Sequence, residues 1–259
     1  MSKRLTTRRV VCISDMHVGS RFGLWPAGLG DLPLLDHQKK LLSYWHDFWK
    51  WAKPYDTVLL LGDICDGQNR KEFGRYLRTT ELERQVEAAC KLLGPHLNGA
   101  RVYAVSGSNY HQSMDMDLDR LVTERLQGDH CGVLLNLELE GTGKVLQARH
   151  GSSGALMYRG GNMDMESLLL DAAQGTGILG FKVDILVRGH WHWYGLVENR
   201  SRLIVQCPGW KLFFPFKGAD RYGKFLPDIG AVKLEVTNDS AVCLKRLYPY
   251  IPVIDKVKT

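Results

Sequence analysis

Residues 8–17 read RRVVCISDMH. The β-branched, apolar run from Arg8 to Ser14 has the composition of a buried strand, and it ends in Asp15, Met16 and His17, a polar loop carrying two residues of metal-ligand type. The same design recurs downstream. TVLLL (57–61) leads into Gly62 and Asp63, RVYAVS (101–106) into Gly107, Ser108 and Asn109, and DILV (184–187) into Gly189 and His190. Four apolar strands that each finish in ligand-type side chains, three of them after a glycine, imply one polar pocket, provided the strand ends meet in the folded chain.

Helical patterns lie between these strands. From His37 to Lys53 the residues Leu41, Trp45, Phe48 and Ala52 recur at steps of three and four, which defines one apolar face, and Pro54 marks its end; Trp49 and Trp51 fall off that stripe. Further helices are expected over Thr79–Leu93, closed by Gly94 and Pro95, and over Met116–Leu126. Strand and helix alternate through the first half of the chain, which implies crossover connections within a sheet. Later the character changes: Arg202–Gln206, Ala231–Val236 and Ala241–Leu247 read as strands with no helix between them. An α/β half followed by a β-rich half predicts two sheets packed face to face with helices outside. The 259 residues suffice for one sizeable core, and no repeat or Gly/Ser/Pro-rich linker divides them, so a single domain spanning 1–259 is expected, without a separate cap domain.

Composition narrows the function classes. A hydrophobic content of 44% with 24% charged residues is that of a globular chain, not a disordered one. No apolar stretch approaches the roughly 20 residues needed to cross a bilayer. The basic opening MSKRLTTRRV is followed by an apolar run that stops at Ser14, too short for a signal peptide, so no leader is expected. Six cysteines (Cys12, Cys65, Cys90, Cys131, Cys207, Cys243) are widely scattered without a CxxC pair, which argues against a disulfide framework or a zinc finger and for reduced thiols in a cytoplasmic protein. A net charge of +6 favours an anionic partner.

The chemistry concentrates in a set of polar residues: Asp15 and His17 in D-M-H, Asp63 in G-D-I-C-D-G, Asn109 in G-S-N-Y-H, His150 in H-G, and His190 and His192 in G-H-W-H. Oxygen and imidazole donors of this mixture suit manganese, iron, zinc or similar divalent ions. There are enough donors for two ions, and a carboxylate such as Asp63 can bridge a pair at the roughly 3.5–4 Å separation of two-metal hydrolases. Residues two apart in an extended chain point to the same side, which would let Asp15 and His17, and likewise His190 and His192, face one ion together. Gly62, Gly107, Gly151 and Gly189 allow the sharp turns and close approaches such loops need. Asp66 either orients a ligand histidine or is a turn residue before Gly67.

Taken in order, these pieces resemble the calcineurin-like metallophosphoesterases, whose motif series runs D-x-H, G-D-x-x-D, G-N-H-D or G-N-H-E, H-G and G-H-x-H. The resemblance implies an α/β fold of metallophosphoesterase type, a two-sheet β-sandwich flanked by α-helices. It implies that Asp15, His17, Asp63 and His192 hold one divalent ion and that Asp63, Asn109, His150 and His190 hold a second. Manganese is the expected metal, with iron, zinc, nickel and magnesium as alternatives. A metal-bridging water or hydroxide would attack the phosphorus, and His111 would steady the phosphate and protonate the leaving oxygen. The third motif departs from the family pattern: Tyr110 is inserted between Asn109 and His111, and the acid that should follow is missing. Ser108 is therefore the alternative ligand to Asn109.

The substrate is less sharply written. WKLFFPFKGADRYGKF (210–225) alternates aromatics with cations. It reads either as a surface that stacks bases on Trp210, Phe213, Phe214 or Tyr222, or as a hydrophobic turn covering a sheet edge. Arg159, in the glycine-containing loop after His150, is either a phosphate clamp or a surface residue. The expected substrate-binding residues are Arg159, Lys211 and Tyr222. The leading function is a phosphodiesterase or nuclease acting on nucleic acid or a nucleotide, with a small or single-stranded substrate favoured because no cap is present. A phosphomonoesterase and a non-catalytic binding scaffold of the same fold are the other two classes.

Overall fold

A computed structural model describes residues 6–30, 32–70, 73–113, 116–151, 160–213 and 226–251. The strand at Arg8–Ile13 (β1) sets the layering, because its side chains alternate between two cores: Val11 and Ile13 on one face, Val10 and Cys12 on the other. In chain order there follow α1 (Asp36–Ala52), β2 (Thr57–Leu60), α2 (Leu82–Leu93), β3 (Arg101–Ala104), α3 (Leu118–Arg125), β4 (Asp129–His130), β5 (Leu135–Leu139) and β6 (Lys144–Arg149). The rest comprises α4 (Gly161–Gly175), β7 (Ile185–Arg188), β8 (Gly195–Glu198), β9 (Leu203–Gln206), β10 (Ile229–Val236) and β11 (Ala241–Tyr248).

The first sheet has the order β11-β10-β1-β2-β3-β4, and the second β5-β6-β7-β9-β8. In the first, β1 to β4 pair in parallel while β10 and β11 run antiparallel. In the second, β6, β7 and β9 are parallel and the two edge strands antiparallel. Three apolar clusters separate four layers. One packs α1, α2 and α3 on the first sheet; the second lies between the sheets, where Leu59 and Leu61 meet the cluster of Leu146, Ile185 and Val205; the third puts Met163 of α4 with Leu186 and Ile204. The architecture is thus the expected sandwich with helices on both outer faces.

Two local readings need correction. Trp49 is buried, packed edge-on against Trp45 with ring centroids 5.5 Å apart, because the buried face of α1 is two residues broad and takes in both Phe48 and Trp49. The alternation rule also passed over the chain between β4 and β7. Helix α4 shows why: Leu168 and Leu169 are exposed while Met163 and Ser167 are buried, so no apolar stripe marks its inner face. No helix among the described residues is long and apolar enough to cross a membrane. All six cysteines are free thiols.

Candidate metal centre

Backbone hydrogen bonds sew the strand ends together. Asp15 N–H donates to the Gly62 carbonyl (3.2 Å), His17 N–H to Asp63 (3.0 Å) and Trp210 N–H to Asp15 (3.0 Å), while Gly189 N–H donates to His150 (2.9 Å). Two side-chain bonds join the sheets: His150 Nδ1 donates to the Leu61 carbonyl (2.6 Å), and the Asp15 Oδ2 accepts from His190 N–H (2.9 Å). The loops after β1, β2, β6, β7 and β9 are thereby held as one cluster at the ends of the parallel strands, where open α/β sheets place their sites.

The backbone of these loops is strained at the residues that carry the chemistry. Among the described residues, the non-glycine positions with φ in the left-handed region include Asp15 (52°), His17 (45°), Asp63 (49°), His190 (78°) and His192 (54°). Such conformations cost on the order of 1–3 kcal/mol each and gather at functional sites. They also correct the extended-chain argument for D-x-H and H-x-H. Asp15 meets His17 through left-handed turns beyond the strand end, not through the alternation of a strand.

Donor atoms converge in three groups, the first and last sharing His17: Asp15, His17 and His192; Asp63, His150 and His190; and His17, Asp66 and His111. Within each group the donor atoms all lie within 4.8 Å of one another. In the first, His17 Nε2 and His192 Nε2 are 3.1 Å apart, and His192 Nε2 lies 3.2 Å from Asp15 Oδ1. In the second, His150 Nε2 sits 3.1 Å from both Asp63 Oδ2 and His190 Nδ1. The two groups adjoin, since Asp15 Oδ1 is 3.9 Å from His150 Nε2.

This geometry fits divalent ions on three counts. Two nitrogens bound at about 2.0–2.1 Å to one tetrahedral ion lie about 3.3 Å apart, close to both nitrogen pairs here. The rings are oriented from behind: His17 Nδ1 bonds Asp66 Oδ1 (2.8 Å) and His150 Nδ1 bonds the Leu61 carbonyl, so each ring turns Nε2 inward, where a metal ion would take the place of a proton. Finally, Asp15 Oδ1 is buried and accepts no well-aligned hydrogen bond, although three imidazole nitrogens surround it within 3.9 Å. A buried carboxylate oxygen without a donor is costly unless a cation supplies its partner.

The charges are tightly coupled. Burial opposes ionisation of Asp63, but His150, His111 and His17 outweigh it and hold the carboxyl far below its usual range. Asp15 is likewise held low, against burial, by His192 and His150. Burial would depress His150, yet Asp63 and Asp15 push it up to about 10. His111 goes the other way: burial brings it down to about 4, and the nearby Asp63 only partly offsets that.

The altered third motif resolves into two separate placements. Ser108 meets Asp63, with its N–H 2.7 Å from Oδ1 and its hydroxyl 3.0 Å from Oδ2, whereas Asn109 is exposed on a 3-10 turn, Asn109–His111. The inserted Tyr110 lets that turn swing His111 inward. There it is buried, its ring edge-on to His17 with centroids 4.4 Å apart, its Nδ1 bonded to the Asp66 carbonyl (2.9 Å) and its Nε2 3.9 Å from Asp63 Oδ2. Lys211 reaches the cluster but is paired, Nζ lying 2.7 Å from Asp66 Oδ1. Trp210 is fully buried against Trp45 and Phe48 and has no face to offer a base, which corrects its reading as a stacking residue. Arg159, Phe214 and Tyr222 lie outside the described residues.

Two participants were not singled out from the sequence. The Ser14 hydroxyl donates to Asp15 Oδ2, and Asp119 accepts backbone N–H groups from the loops on either side of Asp63 and Ser108. Asp66, for which the sequence allows two readings, is the buried partner of His17, His111 and Lys211. Adjacency to a motif would have flagged Ser14; nothing in the linear pattern marks Asp119.

No family model matches the sequence, and no curated protein matches it. Solved structures with a similar course of the chain do exist. Vacuolar Protein Sorting 29 from Cryptosporidium parvum shares 13% identity over 93% of this chain and 98% of its own, with a TM-score of 0.47. An archaeal phosphodiesterase shares 12% identity over 92% and 99%, also at 0.47. A predicted phosphoesterase from Streptococcus pneumoniae shares 14% identity over 94% and 100%, at 0.39. Likeness of this degree decides nothing about chemistry, which rests on the geometry of the chain itself.

Proposed function

We propose that the chain is a calcineurin-like metallophosphoesterase with a two-ion centre, acting as a phosphodiesterase or nuclease. The observation that carries this reading is the buried Asp15 Oδ1, which accepts no well-aligned hydrogen bond and is ringed by the ring nitrogens of His17, His150 and His192, on a backbone strained at Asp15, His17 and His192. Asp15, His17 and His192 would hold one ion and Asp63, His150 and His190 the other, with Asp63 as bridge and Ser108 in place of Asn109 beside it. The nitrogen and oxygen donors suit manganese, with iron, zinc, nickel and magnesium as competitors. Such a pair of ions, when bound, supplies Lewis acidity to water and to the phosphoryl oxygens.

The chain's own groups do the rest. Asp66 fixes the ring of His17 and, through its carbonyl, that of His111. With Nδ1 engaged by the Asp66 carbonyl, His111 presents Nε2 toward Asp63. Burial holds it down to about 4, so to protonate the departing alkoxide it would first have to gain a proton as negative charge builds beside it. A diester is favoured over a monoester because Lys211 is already neutralised by Asp66, which leaves less charge to grip a phosphate dianion. The net charge of +6 still draws a polyanion toward the surface.

The decisive assay compares bis-p-nitrophenyl phosphate with p-nitrophenyl phosphate. Turnover of the diester is expected with Mn2+ and none after chelation. Equal or faster monoester turnover would install the phosphatase reading, and inertness toward both would leave a binding scaffold. His111→Ala is expected to lower diester turnover by roughly 10² or more with metal content unchanged. If the metal is lost as well, His111 is a ligand and not the proton carrier.

A further inference from the structure

Asp119 is 1% exposed, in the first turn of α3, and it touches none of the residues that would hold an ion. An acid at that place in a helix ordinarily serves the helix start. Here the start is already capped by Asp117, whose side chain accepts the Arg120 N–H. Both Asp119 oxygens are instead committed to groups outside the helix. Oδ1 accepts the Ile64 N–H at 2.9 Å; Oδ2 accepts the Gly107 N–H at 2.7 Å and the Gln112 side-chain amide at 2.7 Å. Gln112 closes the brace by accepting the Leu118 N–H at 2.6 Å.

The position of these bonds is what matters. Ile64 directly follows Asp63, and Gly107 directly precedes Ser108, whose N–H and hydroxyl hold the Asp63 carboxylate. One buried carboxylate therefore ties together the two loops that set the orientation of Asp63. We infer that Asp119 is a positioning residue of the metal centre, tying from α3 the loop that carries Asp63 to the loop that carries Ser108. The inference rests on the metal-centre reading and adds to it the element that holds Asp63 and Ser108 in register. Burial, aided by the charge of Asp63, pushes Asp119 up to about 6, as befits a carboxylate retained at some cost.

Every group facing the Asp119 oxygens is a donor, so only a group with two acceptor oxygens satisfies them. Asn has one, and either orientation sets its amide against an N–H. Asp119→Asn should therefore keep the fold but loosen the register. Mn2+ titration by calorimetry is expected to show a loss of about 10-fold or more in affinity, as for partners that orient metal ligands, and the rise in Tm on adding Mn2+ to chelator-treated protein should shrink. Val122→Ala is the control: it opens a cavity under the same helix and lowers Tm, yet should leave the Mn2+ titration unchanged. Wild-type affinity in Asp119→Asn, or an equal loss in Val122→Ala, overturns the inference while the metal centre stands. Should Asp119→Asn not fold, Gln112→Ala, which removes one bond to the same oxygen, must weaken Mn2+ several-fold, and an unchanged titration again overturns it. A wild-type chain that takes up no Mn2+ removes the centre itself and the inference with it.

Discussion

Replacing Asp63 with Asn is expected to abolish diester turnover, by roughly 10³-fold or more, and to remove at least one equivalent of bound metal. The reason lies in what surrounds the carboxylate. Oδ1 accepts from the Ser108 N–H and hydroxyl, and Oδ2 faces that hydroxyl and the His150 Nε2. An amide nitrogen in either place sets donor against donor or turns away a metal-facing oxygen, and it also deletes the charge that holds His150 high. A single preorganised electrostatic contact in such a site is worth about 10²–10³ in rate, and a bridging ligand would serve both ions. Metal analysis beside a diester assay checks the result. A variant with full turnover and full metal content would remove Asp63 from the centre.

Gly107→Ala should be nearly as severe, by a steric route. A Cβ at Gly107 would stand 2.2 Å from both the Asp63 amide nitrogen and Asp63 Oδ1, and Gly62, at φ 81°, already presses its own α-carbon side against Gly107. The atoms in the way are the Asp63 backbone and its carboxylate, which Ser108 pins, so no free side chain can yield. Relief requires the loops after β2 and β3 to part, which moves Asp63 and Ser108 together. Overpacking of this kind costs about 1–3 kcal/mol or more, and for a chain of this size Tm should fall by roughly 5–10 °C. Mn2+-dependent turnover should fall with it, even well below the new Tm. Thermal melts with and without Mn2+ test both halves; an alanine variant that melts and turns over like wild type would show that the loops have room to spare.

Much of this was legible in the linear pattern, for reasons that can be named. The short strands β1, β2 and β7 are buried on both faces over most of their length, so each appears as an apolar run, and the turn from apolar to polar at Asp15, Asp63 and His190 marks where it leaves the core. Helix α1 could be read because its Trp45 and Phe48 face is continuous. Helix α4 and strand β6 could not: α4 exposes Leu168 and Leu169 to solvent, and β6 mixes Lys144, Gln147 and Arg149 with its apolar residues, so neither period stands out. His150, at the end of β6, was found by its H-G pair alone.

The residue types of the site, their order and the apolar runs that carry them follow from local chemistry, since hydrophobic period and turn composition act between near neighbours. Which of Ser108, Asn109 and His111 turns inward depended on the 3-10 turn that absorbs Tyr110, and hence on contacts with Asp63, Asp66 and His17. The brace from Asp119 to Ile64 spans 55 residues of chain, and the bond from His190 to Asp15 spans 175. Hydrogen bonds over such separations have no periodic trace, because the partners become neighbours only after the sheets have stacked. The left-handed turns at Asp15, His17, Asp63, His190 and His192 are of the same kind: their strain is unfavourable locally, and the packed layers around them hold it in place.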